Sequence, residues 1–196
     1  MIEVEKKFII TKDQEAALID GAEFLREKTF TDSYYDYPDW RWTTSDLWLR
    51  MRDSDWELKV PLNIPGEKRV SDQYHELTDE KEIAGALKLD ISRPLAEVLA
   101  ENNIKPFCSI TTTRRKYKKD GFGIDIDTMD FGYDICEIEL MVSDVSEIPI
   151  AEDKILAFSK QFNLPHIRVR GKVLEYLRLN NPAHMEAIET SLGTKH

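Results

Sequence analysis

The chain has 196 residues and carries 27 Lys and Arg against 37 Asp and Glu, a formal net charge of −10. That length suits one domain, or one domain with a helical appendage, and its 4 Trp, 7 Tyr and 8 Phe exclude a disordered acidic chain. The negative balance disfavours bulk binding to nucleic acid or anionic membranes, although a local basic site can override it. Only Cys108 and Cys136 occur, so no disulfide framework is expected. No run approaches the length of a bilayer span. The N-terminus, Met1-Ile2-Glu3-Val4-Glu5-Lys6-Lys7, is charged from its third residue, which excludes the apolar region of a signal peptide. The expectation is a soluble, cytoplasmic protein.

Along the chain, Ile2 to Ile10 alternates as a strand, with Ile2, Val4 and Phe8 on one face and Glu3, Glu5 and Lys7 on the other. Thr11 is placed to cap a short helix running through Asp20. Glu23 to Asp36 is extended and ends before the turn residues Pro38-Asp39. Leu47 to Asp53 alternates again, with Leu47, Leu49 and Met51 opposite Trp48, Arg50 and Arg52. The turn Asp53-Ser54-Asp55 leads into Trp56 to Val60, its hairpin partner, where Glu57 and Lys59 form the polar face. A loop with Pro and Gly spans Pro61 to Glu67, and Val70 to Thr78 is extended.

Helical periodicity follows from Asp79 to about Asn102, interrupted at Ser92-Arg93-Pro94, where Ser92 reads as an N-cap. Three extended stretches come next: Pro106 to Lys119, Phe122 to Asp127 and Tyr133 to Val142. Asp120-Gly121 is a hairpin turn between the first two. Helices are predicted over Pro149 to Asn163, Lys172 to Leu179 and Asn180 to Leu192. About eight strands with few βαβ alternations indicate an antiparallel α+β architecture.

Like-signed charges recur at i, i+2: Glu3 and Glu5, Arg50 and Arg52, Asp125 and Asp127, Glu137 and Glu139. In a strand such pairs share a face, roughly 6.5–7 Å apart. Taken singly, each is the solvated face of a one-sided sheet. Taken together, with acidic and basic pairs on separate strands, they fit the lumen of a closed barrel whose apolar face is covered by helices. Clustered carboxylates there call for a hard divalent cation, and clustered Arg and Lys call for a polyanion such as phosphate. No Gly-rich phosphate loop, HExxH, CxxC or GxSxG competes. His75, His166, His184 and His196 do not cluster and read as surface or packing residues. Trp40, Trp42 and Trp56 read as core or loop anchors. Trp48 shares the face of Arg50 and Arg52, so it either stacks on a ligand ring or packs at the barrel mouth.

The ordered set Glu3-x-Glu5-x-Lys7, Asp32-Ser33-Tyr34-Tyr35-Asp36, Trp48-Leu49-Arg50-Met51-Arg52, Trp56-Glu57-Leu58-Lys59 and Glu76-Leu77-Thr78 continues with Asp125 to Tyr133, Glu137-Ile138-Glu139 and Lys172 to Leu177. It resembles the CYTH superfamily of triphosphate tunnel metalloenzymes, and within it the animal-type thiamine triphosphatases. The resemblance implies one domain over 1–196, an eight-stranded antiparallel tunnel with helices of about 147–192 packed on or closing it. It implies Glu3, Glu5, Asp127, Glu137 and Glu139 as ligands of Mg²⁺, with Mn²⁺ an alternative. Lys7, Arg50, Arg52, Lys59, Arg114 and Lys172 match positions that hold the triphosphate, with Glu137 also beside the substrate. Trp48 matches the aromatic that stacks on thiamine, and Lys59 with Tyr74 a catalytic pair. Thr113 departs from the Lys of relatives, but in a strand it points away from Arg114. The implied reaction is hydrolysis of thiamine triphosphate to the diphosphate and phosphate by a monomer, with no nucleic-acid or membrane partner. An inorganic tripolyphosphatase, an adenylate cyclase and a non-catalytic polyphosphate-binding protein stay open beside it.

Overall fold

A computed structural model describes residues 2–62 and 72–193. In chain order the elements are β1 (Ile2–Phe8), α1 (Lys12–Ile19), β2 (Glu23–Asp36), β3 (Trp48–Arg52), β4 (Asp55–Pro61), β5 (Asp72–Leu77), α2 (Glu80–Leu87) and α3 (Leu95–Glu101). They continue with β6 (Lys105–Lys119), β7 (Phe122–Met129), β8 (Asp134–Val142), α4 (Ile148–Gln161), α5 (Lys172–Asn180) and α6 (Pro182–Leu192). The strands close into an antiparallel barrel in the order β1-β5-β4-β3-β2-β6-β7-β8. Most of the loop expected at Pro61 to Glu67, the start of the strand expected at Val70, and His196 lie outside the described residues. No helix among the described residues is long and apolar enough to cross a membrane.

Local chemistry sets the element boundaries. Thr11 caps α1 through a capping box: its hydroxyl accepts from the Gln14 amide, and the Gln14 side chain returns to the Thr11 amide. Asp79 caps α2 by accepting from the amides of Lys81 and Glu82. Asp120 and Gly121 both adopt positive φ (51° and 87°), as a two-residue hairpin between β6 and β7 requires. The cap expected at Ser92 is not formed. Pro94 occupies the N-cap position of α3 without a side-chain bond, and Glu80 of α2 accepts from the Leu95 amide at 2.9 Å. A carboxylate from the neighbouring helix therefore satisfies the group that Ser92 was expected to serve.

The chain divides into two compact units. The first comprises Met1–Thr29, Leu62–Tyr74 and Thr112–Lys172. Its core packs Val4, Phe8, Ile124, Ile126, Cys136 and Ile138 against Ile148, Ile155 and Phe158 of the α4 segment. The second comprises Phe30–Pro61, His75–Thr111 and Val173–His196, with Leu49, Trp56 and Leu58 packed on Ile83, Leu87, Leu95 and Leu99. In both, the apolar residues of each strand face helices, so the intervening charged residues occupy the inner face of the sheet. On the outer face Thr113 bonds Thr29 at 2.9 Å, as its position opposite to Arg114 in the alternation requires. The two cysteines are free and buried.

His184 of α6 is a packing residue, fully buried, stacked on Trp40 with centroids 4.6 Å apart and met edge-on by Phe107. The Thr43 hydroxyl donates to Asp36 at 2.8 Å, so His184 Nε2–H donates to Thr43 at 2.7 Å. Its Nδ1 has no partner. Burial therefore holds the imidazole neutral and lowers its pKa from 6.5 to about 4. The unfolded chain takes up this proton first, so stability is lost as pH falls from about 6.5 towards about 4, by roughly 2–3 kcal/mol at most. His184→Gln, which cannot titrate, is expected to flatten the Tm profile across that range.

Candidate functional site

Strand register assembles the charged residues of the first unit. Lys116, Asp125, Glu137 and Lys7 stand opposite one another in turn across β6, β7, β8 and β1. One step along, Glu5 faces Glu139, while Arg114 faces Asp127. Like charges directly opposite in a ladder are unfavourable, so this arrangement persists only through cations. The Arg114 guanidinium supplies most of that compensation. It grips both oxygens of Asp127 at 2.6 Å, reaches Asp125 at 2.5 Å and Glu137 at 2.8 Å. Lys116 lies 2.6 Å from Glu139 and Lys7 2.5 Å from Glu5. Lys172, the first residue of α5, is buried and donates to Thr112 at 3.0 Å. Tyr74 stands opposite Glu3 in the β1–β5 ladder.

Compensation is incomplete. Burial raises the pKa of Glu137, and the charge of Glu5 raises it further against the pull of Arg114 and Lys7. Burial likewise raises Asp125, with Arg114 and Lys116 opposing. For Arg114 the order reverses: burial opposes its charge, yet Glu137, Asp127 and Asp125 lift its pKa well above the ordinary value. The carboxylate Asp125, fully buried, accepts from Lys116 through Oδ2, while its Oδ1 lies 3.2 Å from the same ammonium without a hydrogen bond. Among the described residues no group of His, Cys, Asp or Glu stands ready-made as a metal cage. The donors nonetheless suit a hard cation: all are carboxylate oxygens, they outnumber the cations beside them, and one buried acceptor lacks a hydrogen bond.

Gly123 has a steric role here. It stands opposite Glu139, and a Cβ on it would lie 2.8 Å from Glu139 Cδ. The Glu139 side chain thus crosses β7 over a bare Cα to reach Lys116.

In the second unit β3 is flanked by β2 and β4. Arg52 faces Asp32, Arg50 faces Tyr34 on one side and Glu57 on the other, and Trp48 faces Lys59. Arg52 forks onto Asp32 at 2.7 and 3.0 Å while its guanidinium lies over the Phe30 ring. Arg50 pairs with Glu57 and lies 3.4 Å from the Tyr34 hydroxyl, with Asp32 at 3.8 Å. Burial works against the Arg50 charge, but Tyr34, Glu57 and Asp32 outweigh it and raise its pKa. Burial pushes Tyr34 up to about 12, which keeps its hydroxyl protonated. Lys59 is 2.5 Å from Glu76. The Trp48 indole is buried on this charged row, and its N–H donates to Asp46 at 2.9 Å.

The cations therefore do not wait bare for a polyanion, as their clustering in the sequence suggested. Asp32, Glu57 and Glu76 hold them, and Lys116 and Asp125 join the carboxylate set. Sequence reasoning placed Asp125 among the lumenal carboxylates without naming it a ligand and assigned the other four no role, although Lys116 shares a strand face with Arg114 and Glu57 shares one with Lys59. Arg114→Met is expected to leave three buried carboxylates without their main partner and to cost about 3–5 kcal/mol. Urea denaturation of the purified variant checks this.

Residues 1–170 match the CYTH domain family. The chain is 32% identical to the thiamine-triphosphatase of Homo sapiens, covering 93% of this chain and 86% of that protein. It is 31% identical to the thiamine-triphosphatase of Macaca fascicularis over 96% and 89% of the two. Among solved structures, a Pyrococcus horikoshii protein superposes with a TM-score of 0.69 at 22% identity, covering 91% of this chain and 99% of that one.

Proposed function

The chain belongs to the CYTH domain family, and from that premise we propose that it hydrolyses thiamine triphosphate to thiamine diphosphate and phosphate. The observation that carries the reading is the inner row of β3, where a buried indole shares the face of two arginines already paired with carboxylates. Such a row offers one surface for a cationic ring and another for a chain of phosphates. The identity to two thiamine-triphosphatases over most of the chain supports the same substrate.

In this reading Arg50, Arg52, Lys59, Lys7, Arg114 and Lys172 bind the triphosphate. Their resident carboxylates hold the guanidinium and ammonium groups in place, so little reorganisation is needed as charge shifts in the transition state. Glu3, Glu5, Asp127, Glu137 and Glu139 would hold Mg²⁺, or Mn²⁺ in its place, and Asp125 Oδ1 adds a further oxygen donor beside them. When bound, the cation would draw charge from the terminal phosphoryl group. Lys59, paired with the Glu76 carboxylate at 2.5 Å, would hold phosphate and form the catalytic pair with Tyr74. The Tyr74 hydroxyl, on the neighbouring strand β5, would orient the attacking water by hydrogen bonding.

Phosphate release with Mg²⁺ from thiamine triphosphate, tripolyphosphate and ATP at equal concentration tests the proposal. Fastest release from thiamine triphosphate is expected. Faster release from tripolyphosphate makes the protein an inorganic triphosphatase, and cyclic AMP from ATP makes it a cyclase. Triphosphate binding with no release would make it a binding protein.

Two variants extend the test. Glu139→Gln removes one hard anionic ligand and is expected to lower turnover by orders of magnitude, partly restored by excess Mg²⁺. Trp48→Ala is expected to lower kcat/KM for thiamine triphosphate by roughly 2- to 30-fold, with a much smaller change on tripolyphosphate. Equal losses on both substrates would identify Trp48 as a packing residue.

A further inference from the structure

The Trp48 indole is hydrogen-bonded to the turn that precedes β3 within the second unit. Asp36 at the end of β2 is almost wholly buried. It accepts from the amides of Tyr37, Trp42 and Thr43 and from the Thr43 hydroxyl, at 2.7 to 3.1 Å. His184 locks the same hydroxyl from α6. The 3-10 turn Thr43–Ser45 ends at Asp46, whose amide donates back to the Thr43 carbonyl and whose φ is +63°. In that left-handed conformation the Asp46 carboxylate accepts the Trp48 indole N–H at 2.9 Å.

We infer that Asp46 is the positioning and specificity-determining residue for the organic end of the substrate, an inference that rests on the thiamine triphosphate reading. The hydrogen bond fixes the plane of the indole. It also places a carboxylate behind the ring edge, which withdraws positive character from the N–H and leaves the π-face more negative. A cationic heteroaromatic ring gains from both effects, whereas an inorganic triphosphate gains from neither. Asp46 thus acts through Trp48 and selects between substrates with the same phosphate chain.

The backbone at Asp46 permits a clean test. Glycine adopts φ of +63° without strain, and asparagine tolerates it well. Asp46→Gly removes the acceptor. Asp46→Asn keeps a carbonyl acceptor and loses the charge. Steady-state kinetics on thiamine triphosphate and tripolyphosphate, with the folded fraction checked by Tm, are expected to show a roughly 3- to 20-fold lower kcat/KM for thiamine triphosphate in Asp46→Gly, carried mainly by KM. Tripolyphosphate kinetics should stay within about 2-fold, and Asp46→Asn should recover part of the loss. A preference for thiamine triphosphate that survives intact in Asp46→Gly overturns this inference alone. Equal losses on both substrates overturn it too, since they mark a structural role for the turn. No preference in the unaltered protein overturns the substrate reading and the inference with it.

Discussion

Burying a charge is costly unless an opposite charge and a full set of hydrogen bonds accompany it, and the inner face of this barrel is organised around that requirement. Arg114 shows how it is met. One planar guanidinium serves Asp125, Asp127 and Glu137 together, which come from two adjacent strands. Removing Arg114 leaves all three carboxylates poorly compensated, so the set behaves as a unit rather than as separate pairs. The apolar outer face, packed under α4, keeps the strands in register, and register in turn keeps these groups within bonding distance.

The same requirement explains why the arginines of β3, proposed here to bind phosphate, are already paired. A strand of bare arginines would repel itself, and its side chains would lose orientation when a ligand arrives. With Asp32 and Glu57 beside them, Arg50 and Arg52 are fixed in space before any substrate is present. On the proposed function, incoming phosphates would meet donors that need little further ordering, which lowers the entropic cost of association. The resident carboxylates also weaken the net attraction for anions, so tight binding favours a ligand with several phosphates over one with a single charge.

Most of the fold could be read from the sequence because strand alternation and turn chemistry are local signals. The alternation of Leu49 and Met51 with Arg50 and Arg52 located β3 and its inner face, and Asp120-Gly121 located the turn joining β6 and β7. The Ser92 cap was misread because the partner that serves α3, Glu80, comes from another helix fifteen residues away. The site was legible as residue types on faces and less so as pairs. Asp32 and Arg52 are twenty residues apart, and only the register of β2 on β3 joins them. Asp46 carries no charge pattern at all. Its significance depends on a backbone angle and on an indole two residues away.

The register of β1 bears on how the chain assembles as it is made. One edge of β1 pairs with β5, but the other pairs along its whole length with β8, where Ile2 meets Val142. At about 5–20 residues per second of synthesis, that second edge waits on the order of 10–30 s for its partner. An exposed edge is a template for pairing with other chains, and charges along a strand suppress such pairing. Glu3, Glu5 and Lys7 therefore guard the nascent strand against neighbouring ribosomal products during that wait. The charged residues that line the finished barrel also keep this strand from aggregating before the barrel exists.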